Sequence, residues 1–274
     1  MDSDRQPEHA SFWDHLDELR AVIIRVAVVV LVAGIASFAA MPWIFDHVIL
    51  APCSSDFPLY RLFNHISGLV GDSFGEIGTD PGFKVDIVSI ELSSQFFTHM
   101  SASCWIALIA GFPLILYLLW GFVAPGLYEH EKRGAVKAFV CGILMFYLGC
   151  AMGYFLVFPL ALRFLATYSL SAAIHPVVSL DSYMENFFTI LLLMGLVAEL
   201  PLVAWMLGKA GILTRSFFKK YRRHAIVALL ILAALITPTG DPFTLFIVFI
   251  PIYALWEGSS RLVPKQGRTE EEEE

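Results

Sequence analysis

Long apolar stretches decide what this chain can fold into. Residues 21–44 carry a single charge, Arg25, and five further apolar runs follow at 96–123, 135–158, 187–207, 225–236 and 243–256. About 20 apolar residues of helix cross a hydrocarbon core about 30 Å thick. At 57% hydrophobic and 16% charged, the chain also departs from a soluble domain, which is about half apolar and a quarter charged. The expectation is an all-α polytopic membrane protein with six transmembrane helices. The last two runs flank the turn Thr237-Pro238-Thr239-Gly240-Asp241-Pro242 and are shorter than a normal span. They are expected to cross a locally thinned bilayer, with a re-entrant hairpin as the alternative.

Basic residues set the orientation. Of the 18 Lys and Arg residues, Arg61, Lys84 and Arg163 fall in one set of loops, and the remaining 15 lie at the termini and in the other set. The positive-inside rule makes that richer side cytoplasmic, with both termini on it. The chain then divides into a cytoplasmic amphipathic N-terminus (1–20), a six-helix membrane domain (21–258) with a long outer loop at 46–95, and a cytoplasmic acidic tail (259–274). Residues 59–69 of the outer loop are apolar enough for a small helical cap. Residues 1–20 mix acids, Arg and His without an apolar core, so no cleavable leader is expected. A net charge of −7 leaves no basic face for nucleic acid. Cys53, Cys104, Cys141 and Cys150 are read as free thiols acting as small hydrophobes.

Three places could carry function. In Phe12-Trp13-Asp14-His15-Leu16-Asp17-Glu18-Leu19-Arg20, Phe12, Leu16 and Leu19 share one helical face while Asp14, Asp17 and Glu18 project elsewhere. That describes an interfacial helix leading into the first span. It is either a plain surface anchor or, because anionic lipid repels its acids, a site awaiting a cation. In the second place, Pro125-Gly126 ends the second helix and leaves Glu129 and Glu131 in a short loop beside Lys132 and Arg133. These charges could simply pair with one another. Alternatively, Glu18 and Glu131 form a shallow acidic site walled by Phe122 and Leu127. A carboxylate accepts a guanidinium through two parallel charge-assisted hydrogen bonds, so two carboxylates suit a ligand with adjacent arginines. The third place is Glu199, an acid within the fourth run with Pro201 two residues on. An intramembrane acid is costly, and it marks either a packing bond, a titrating site or a docking point for another helix. Gly149 and Gly153 read as a close helix contact. No zinc motif, phosphate loop or nucleophile elbow occurs, so no catalytic residue, metal or cofactor is expected.

These motifs resemble one family. His15-Leu16-Asp17-Glu18-Leu19-Arg20 before the first span is similar to the His-Leu-x-Glu-Leu-Arg motif of the TatC family. Trp120-x-Phe122-x-x-Pro125-Gly126-Leu127 followed by Glu131-Lys132-Arg133 resembles that family's first cytoplasmic loop. Phe146-Tyr147-x-Gly149, Tyr154-Phe155-x-x-Phe158-Pro159, Glu199-x-Pro201 and Thr237-Pro238 with Asp241 extend the likeness to about Arg261. The outer segment 46–95 is longer than the family's first outer loop, and Gly240 is an extra residue in the last one.

The resemblance implies a twin-arginine signal-peptide receptor in the bacterial cytoplasmic (inner) membrane. It would be the core subunit of a translocase that exports folded proteins on the proton-motive force, without ATP. Glu18 and Glu131 would contact the paired arginines, with Arg20, Phe122 and Leu127 shaping the site. Glu199, Thr237, Asp241 and Pro52 would serve partner binding or gating, the partners being single-span TatA- and TatB-type subunits and further copies of the chain. An ion-coupled membrane transporter built around Glu199 is the alternative.

Overall fold

In a computed structural model of the chain, the described residues are 12–62, 65, 83–123, 129–169, 171, 177–209, 211–237 and 241–263. Among them, helix α1 (Phe12–Ile44) runs without a break from the N-terminal motif through the first apolar run. The amphipathic segment is therefore the first turns of the spanning helix. Helix α2 (Ser94–Val123) returns antiparallel along α1. Outward, α1 turns Leu31, Val32 and Ile35 into exposed positions, which lipid covers at no hydrophobic cost.

Helix α3 (Glu129–Met152) begins earlier than the sequence reading placed it. Glu129 and Glu131 belong to its first turn rather than to a loop, and negative charge there complements the helix dipole. A π turn at Gly153–Val157 then joins α3 to α4 (Phe158–Thr167). Pro159 has no N–H to donate, and the wider turn ahead of it absorbs the missing bond. The third span is thus longer than its apolar run, reaching from Ala138 to Thr167.

The fourth span is two helices, α5 (Leu180–Val197) and α6 (Leu200–Lys209), broken at Ala198 and Glu199. Pro201 causes the break, because it cannot donate to the carbonyl of Val197 and its ring crowds that carbonyl. After a short helix α7 (Arg215–Lys220), α8 (Arg222–Ile236) and α9 (Pro242–Leu262) form the last pair. Among the described residues five segments are long and apolar enough to span a bilayer, and the shorter α8 makes the sixth helix of the bundle. Its 15 residues rise about 22 Å, shorter than the core. The final helix is not short: α9 has 21 residues because it continues past Trp256 to Leu262.

The core centres on α5. Tyr183, Phe187, Phe188, Ile190 and Met194 are buried there, with Phe158 set edge-on to Tyr183 at 5.3 Å and to Phe187 at 5.0 Å. Helices α3 and α5 cross at glycines. A Cβ at Gly149 would stand 2.5 Å from Ala198 Cβ and 2.8 Å from Gly195 Cα, and one at Gly195 would stand 2.7 Å from Cys150 Sγ. Only hydrogen atoms fit in that contact.

At the end of the bundle where α1 finishes, the chain folds into a cap. A π turn (Phe45–Ile49) and a 3-10 turn (Ala51–Cys53) bend the end of α1, and such turns leave carbonyls without helical donors. Three tyrosines supply them. Tyr154 donates to Val48 at 2.9 Å, Tyr183 donates to Ile49, and Tyr60 donates to Pro52 at 3.2 Å and Pro159 at 3.0 Å. Strand β1 (Ile87–Val88) pairs in parallel with β2 (Val178–Ser179), and Ser54 bridges Lys84. Residues 58–62 are helical, the described part of the expected cap helix.

Beneath this cap lies Arg163, 4% exposed, with its guanidinium 5.2 Å from the Tyr60 ring centre and 4.9 Å from that of Phe83. Among the described residues its Nε has no hydrogen-bond partner. Burial pushes the Tyr60 hydroxyl above its ordinary range, opposed by Arg163, so Tyr60 remains a donor. A desolvated cation on aromatic faces gains about 2 kcal/mol, yet a buried charge that meets no acid among the described residues is itself unfavourable. Arg163→Met is therefore expected to leave the melting temperature in detergent unchanged or raised. Tyr60→Leu removes a ring and two hydrogen bonds and is expected to cost about 3 kcal/mol. The opposite order of melting temperatures would contradict this account of the cap.

Candidate functional site

The register of α1 on α2 decides which of their residues lie at one level. A Cβ at Gly34 would lie 3.9 Å from Ala107 Cβ, one at Gly111 would lie 3.9 Å from Val29 Cγ1, and His99 Nε2 sits 3.0 Å from the carbonyl of Phe38. Contacts that ascend α2 therefore descend α1. Starting from the Val29–Gly111 contact, eleven residues toward the start of α1 reach Glu18, and eleven residues toward the end of α2 reach Phe122. The same rise per residue in both helices puts the two at one level.

Asp17, Glu18, Leu19 and Arg20 are exposed there, and Phe122 is half-buried in the last turn of α2. The backbone of Glu131 lies in the first turn of α3, at the same end of the bundle. Its side chain and Leu127 lie outside the described residues.

Residues assigned to partner binding or gating occupy three separate places. Glu199 sits at the break between α5 and α6, half-buried, with Oε1 buried and lacking a hydrogen-bond partner among the described residues. Its carboxylate packs on α3 at Gly142, where a Cβ would stand 3.3 Å from Oε2. Thr237 and Asp241 flank the α8–α9 turn. Thr237 is buried and donates its hydroxyl to the carbonyl of Ala233 at 2.9 Å, while Asp241 caps α9 by accepting from the Thr244 N–H at 2.7 Å. Pro52 is buried in the cap under the Tyr60 hydroxyl. Each of these last three thus has a bond that fixes backbone.

Sequence reading missed Asp181, which accepts from Ser94 at 2.7 Å and from Thr98 at 3.5 Å, tying α5 to α2. The signal was present as an acid just after Ser179, the N-cap of α5.

Residues 14–251 match the family model described as Sec-independent protein translocase protein (TatC). The chain belongs to the TatC family. A TatC of Desulforapulum autotrophicum is 33% identical over 272 residues, covering 98% of this chain and 91% of that one. A TatC of Escherichia coli is 34% identical over 189 residues, covering 68% and 72%. The fold matches two crystal structures described as twin arginine translocase receptor TatC. One, in DDM, has a TM-score of 0.72 at 27% identity over 91% of this chain and 99% of that chain. The other has a TM-score of 0.69 at 28% identity over 90% and 97%. The chain is thus a membrane-embedded component of the twin-arginine, Sec-independent protein translocase with the six-helix TatC fold. A translocase subunit is a transport protein, and the transporter alternative is not favoured.

Proposed function

We propose that this chain is the signal-peptide receptor of its translocase, reading two adjacent arginines with Glu18 and Glu131 at the end of the bundle where α1 begins. The observation that supports it most is the register that sets exposed Glu18 level with Phe122, at the end of the bundle where α3 begins. A carboxylate on α1 and another at the start of α3 offer two oxygen pairs to two guanidinium forks, a geometry lysine cannot match. Arg20, Phe122 and Leu127 shape the edge of the site.

Both termini face the cytoplasm, because the side holding this site carries 15 of the 18 basic residues. The membrane is the bacterial cytoplasmic membrane. TatA- and TatB-type single-span subunits and further copies of the chain complete the complex, and folded cargo crosses on the proton-motive force. Glu199, with its unsatisfied buried oxygen in the membrane, offers such a partner a polar contact, and Thr237, Asp241 and Pro52 hold the outer turns on which partners dock.

The test is photocrosslinking in native membranes, using a peptide with a probe beside its two arginines. Labelling is expected near Glu18 and Glu131, and it should vanish when both arginines become lysines. Equal labelling by the lysine peptide would reduce the site to a charge trap and reject the receptor reading.

A further inference from the structure

The corner that joins α6 to α8 concentrates positive charge against the trend of the chain. Overall the sequence carries −7. Between Lys209 and Arg223, however, six cations fall within fifteen residues: Lys209, Arg215, Lys219, Lys220, Arg222 and Arg223. Among the described residues one acid pairs with them, Glu257, 3.6 Å from Arg222. Arg222 also donates to the Tyr253 hydroxyl at 2.6 Å. Lys209 lies over Trp205 and Lys220 over Tyr221. Arg215, Lys219 and Arg223 have no carboxylate partner among the described residues.

This corner is held in place and faces outward. Phe218 is buried, packed 5.5 Å from Trp256 and clustered with Ala204 and Val263 at the base of the bundle. That anchor fixes α7 between the end of one spanning segment and the start of another. The rings of Phe217 and Tyr221 meet at 4.6 Å, tilted by 41°, yet both remain exposed at 44% and 39%, as does Ile212 at 69% before α7. Exposed aromatics interleaved with unpaired cations, at the level where helices leave the membrane, match the chemistry of an anionic lipid interface. Rings favour the headgroup level, and cations attract phosphate diesters.

We propose that the α7 corner is a binding site for anionic phospholipids. Arg215 and Lys219 on α7, with Arg223 in the first turn of α8, hold the phosphate, and Phe217 and Tyr221 settle among the upper acyl chains. Phosphate oxygens accept charge-assisted hydrogen bonds from the guanidinium groups, while the apolar contacts select a lipid over a free anion. The site fastens the region that follows the Glu199 break to one leaflet.

The experiment is native mass spectrometry of the purified protein, released from detergent containing phosphatidylglycerol and phosphatidylcholine in equal amounts. Wild type is expected to retain phosphatidylglycerol preferentially. In the triple variant Arg215→Gln, Lys219→Gln, Arg223→Gln that preference should fall about a hundredfold, the sum of three surface cations. A control at the opposite end, Arg61→Gln with Lys84→Gln, should keep it. Three results would each overturn the proposal: retention unchanged in the triple variant, equal retention of both lipids by wild type, or displacement of the lipid by glycerophosphoglycerol or inorganic phosphate, which marks a free-anion site. If the triple variant does not stay monodisperse, wild type alone decides. Its preference must weaken as ionic strength rises from about 0.05 to about 0.5 M, and a salt-independent preference overturns the proposal.

Discussion

Replacing Gly149 by leucine is expected to prevent the protein from folding into a stable bundle. The nearest atoms to an added Cβ are the carbonyl of Met194, Ala198 Cβ at 2.5 Å and Gly195 Cα at 2.8 Å. Two of these are backbone, and the third is a methyl with no rotamer to change. Where side chains can yield, overpacking costs about 1–3 kcal/mol. Here relief requires α3 and α5 to move apart as bodies, which would also loosen Phe146 and Cys150 against Gly195. The expected cost exceeds about 3 kcal/mol, a large share of a stability of about 5–15 kcal/mol. Even Gly149→Ala should lower the melting temperature in detergent. Gly258→Ala provides the contrast. No atom lies within 4 Å of its added Cβ, so a helix interior there gains about 0.5–1 kcal/mol from lost chain freedom. Detergent extracts of the three variants, compared by size-exclusion profile and melting temperature, check the order. A monodisperse Gly149→Leu protein melting like wild type would mean that the crossing is looser than this geometry.

The same crossing marks how far sequence reading reaches in a membrane chain. Gly149 and Gly153 were legible as a close contact because small residues four apart line one helical face. Their partner was not, since nothing in the spacing of Met194, Gly195 and Ala198 says which of the other helices they meet. The six apolar runs were visible because the bilayer demands them, while their ends were not. Arg163 stood in the count of outer-loop charges, yet it is buried in α4, because two aromatic rings from the distant residues 60 and 83 cover it. The break at Glu199 was implicit in Pro201. Strands β1 and β2 have two residues each, too short for alternation to register, and their pairing joins residues about ninety positions apart.

For the proposed acidic site, sequence supplied the residues and the fold supplied the level of Glu18 against Phe122. Glu18 and Glu131 could be named as interfacial acids, but only the antiparallel register of α1 on α2 relates Glu18 to Phe122. No pattern within a single helix contains that register.

That shared level gives the second large effect. The variant Glu18→Ala with Glu131→Ala is expected to lose about a hundredfold in affinity for a peptide bearing two adjacent arginines. Charge-assisted hydrogen bonds set the scale, discounted because Glu18 is exposed and screened by water. The decisive quantity is the coupling between protein and peptide. Changing both peptide arginines to lysine should weaken binding to wild type strongly and to the double variant little, since the carboxylates that distinguish a planar fork from a point charge are already gone. Glu18→Gln with Glu131→Gln keeps an acceptor oxygen at each position without the charge, so its affinity should fall between the two. Binding to protein in nanodiscs, measured at fixed ionic strength for all combinations, provides the cycle. Losses that simply add would place the arginine contacts elsewhere on the bundle, because groups that touch do not contribute independently.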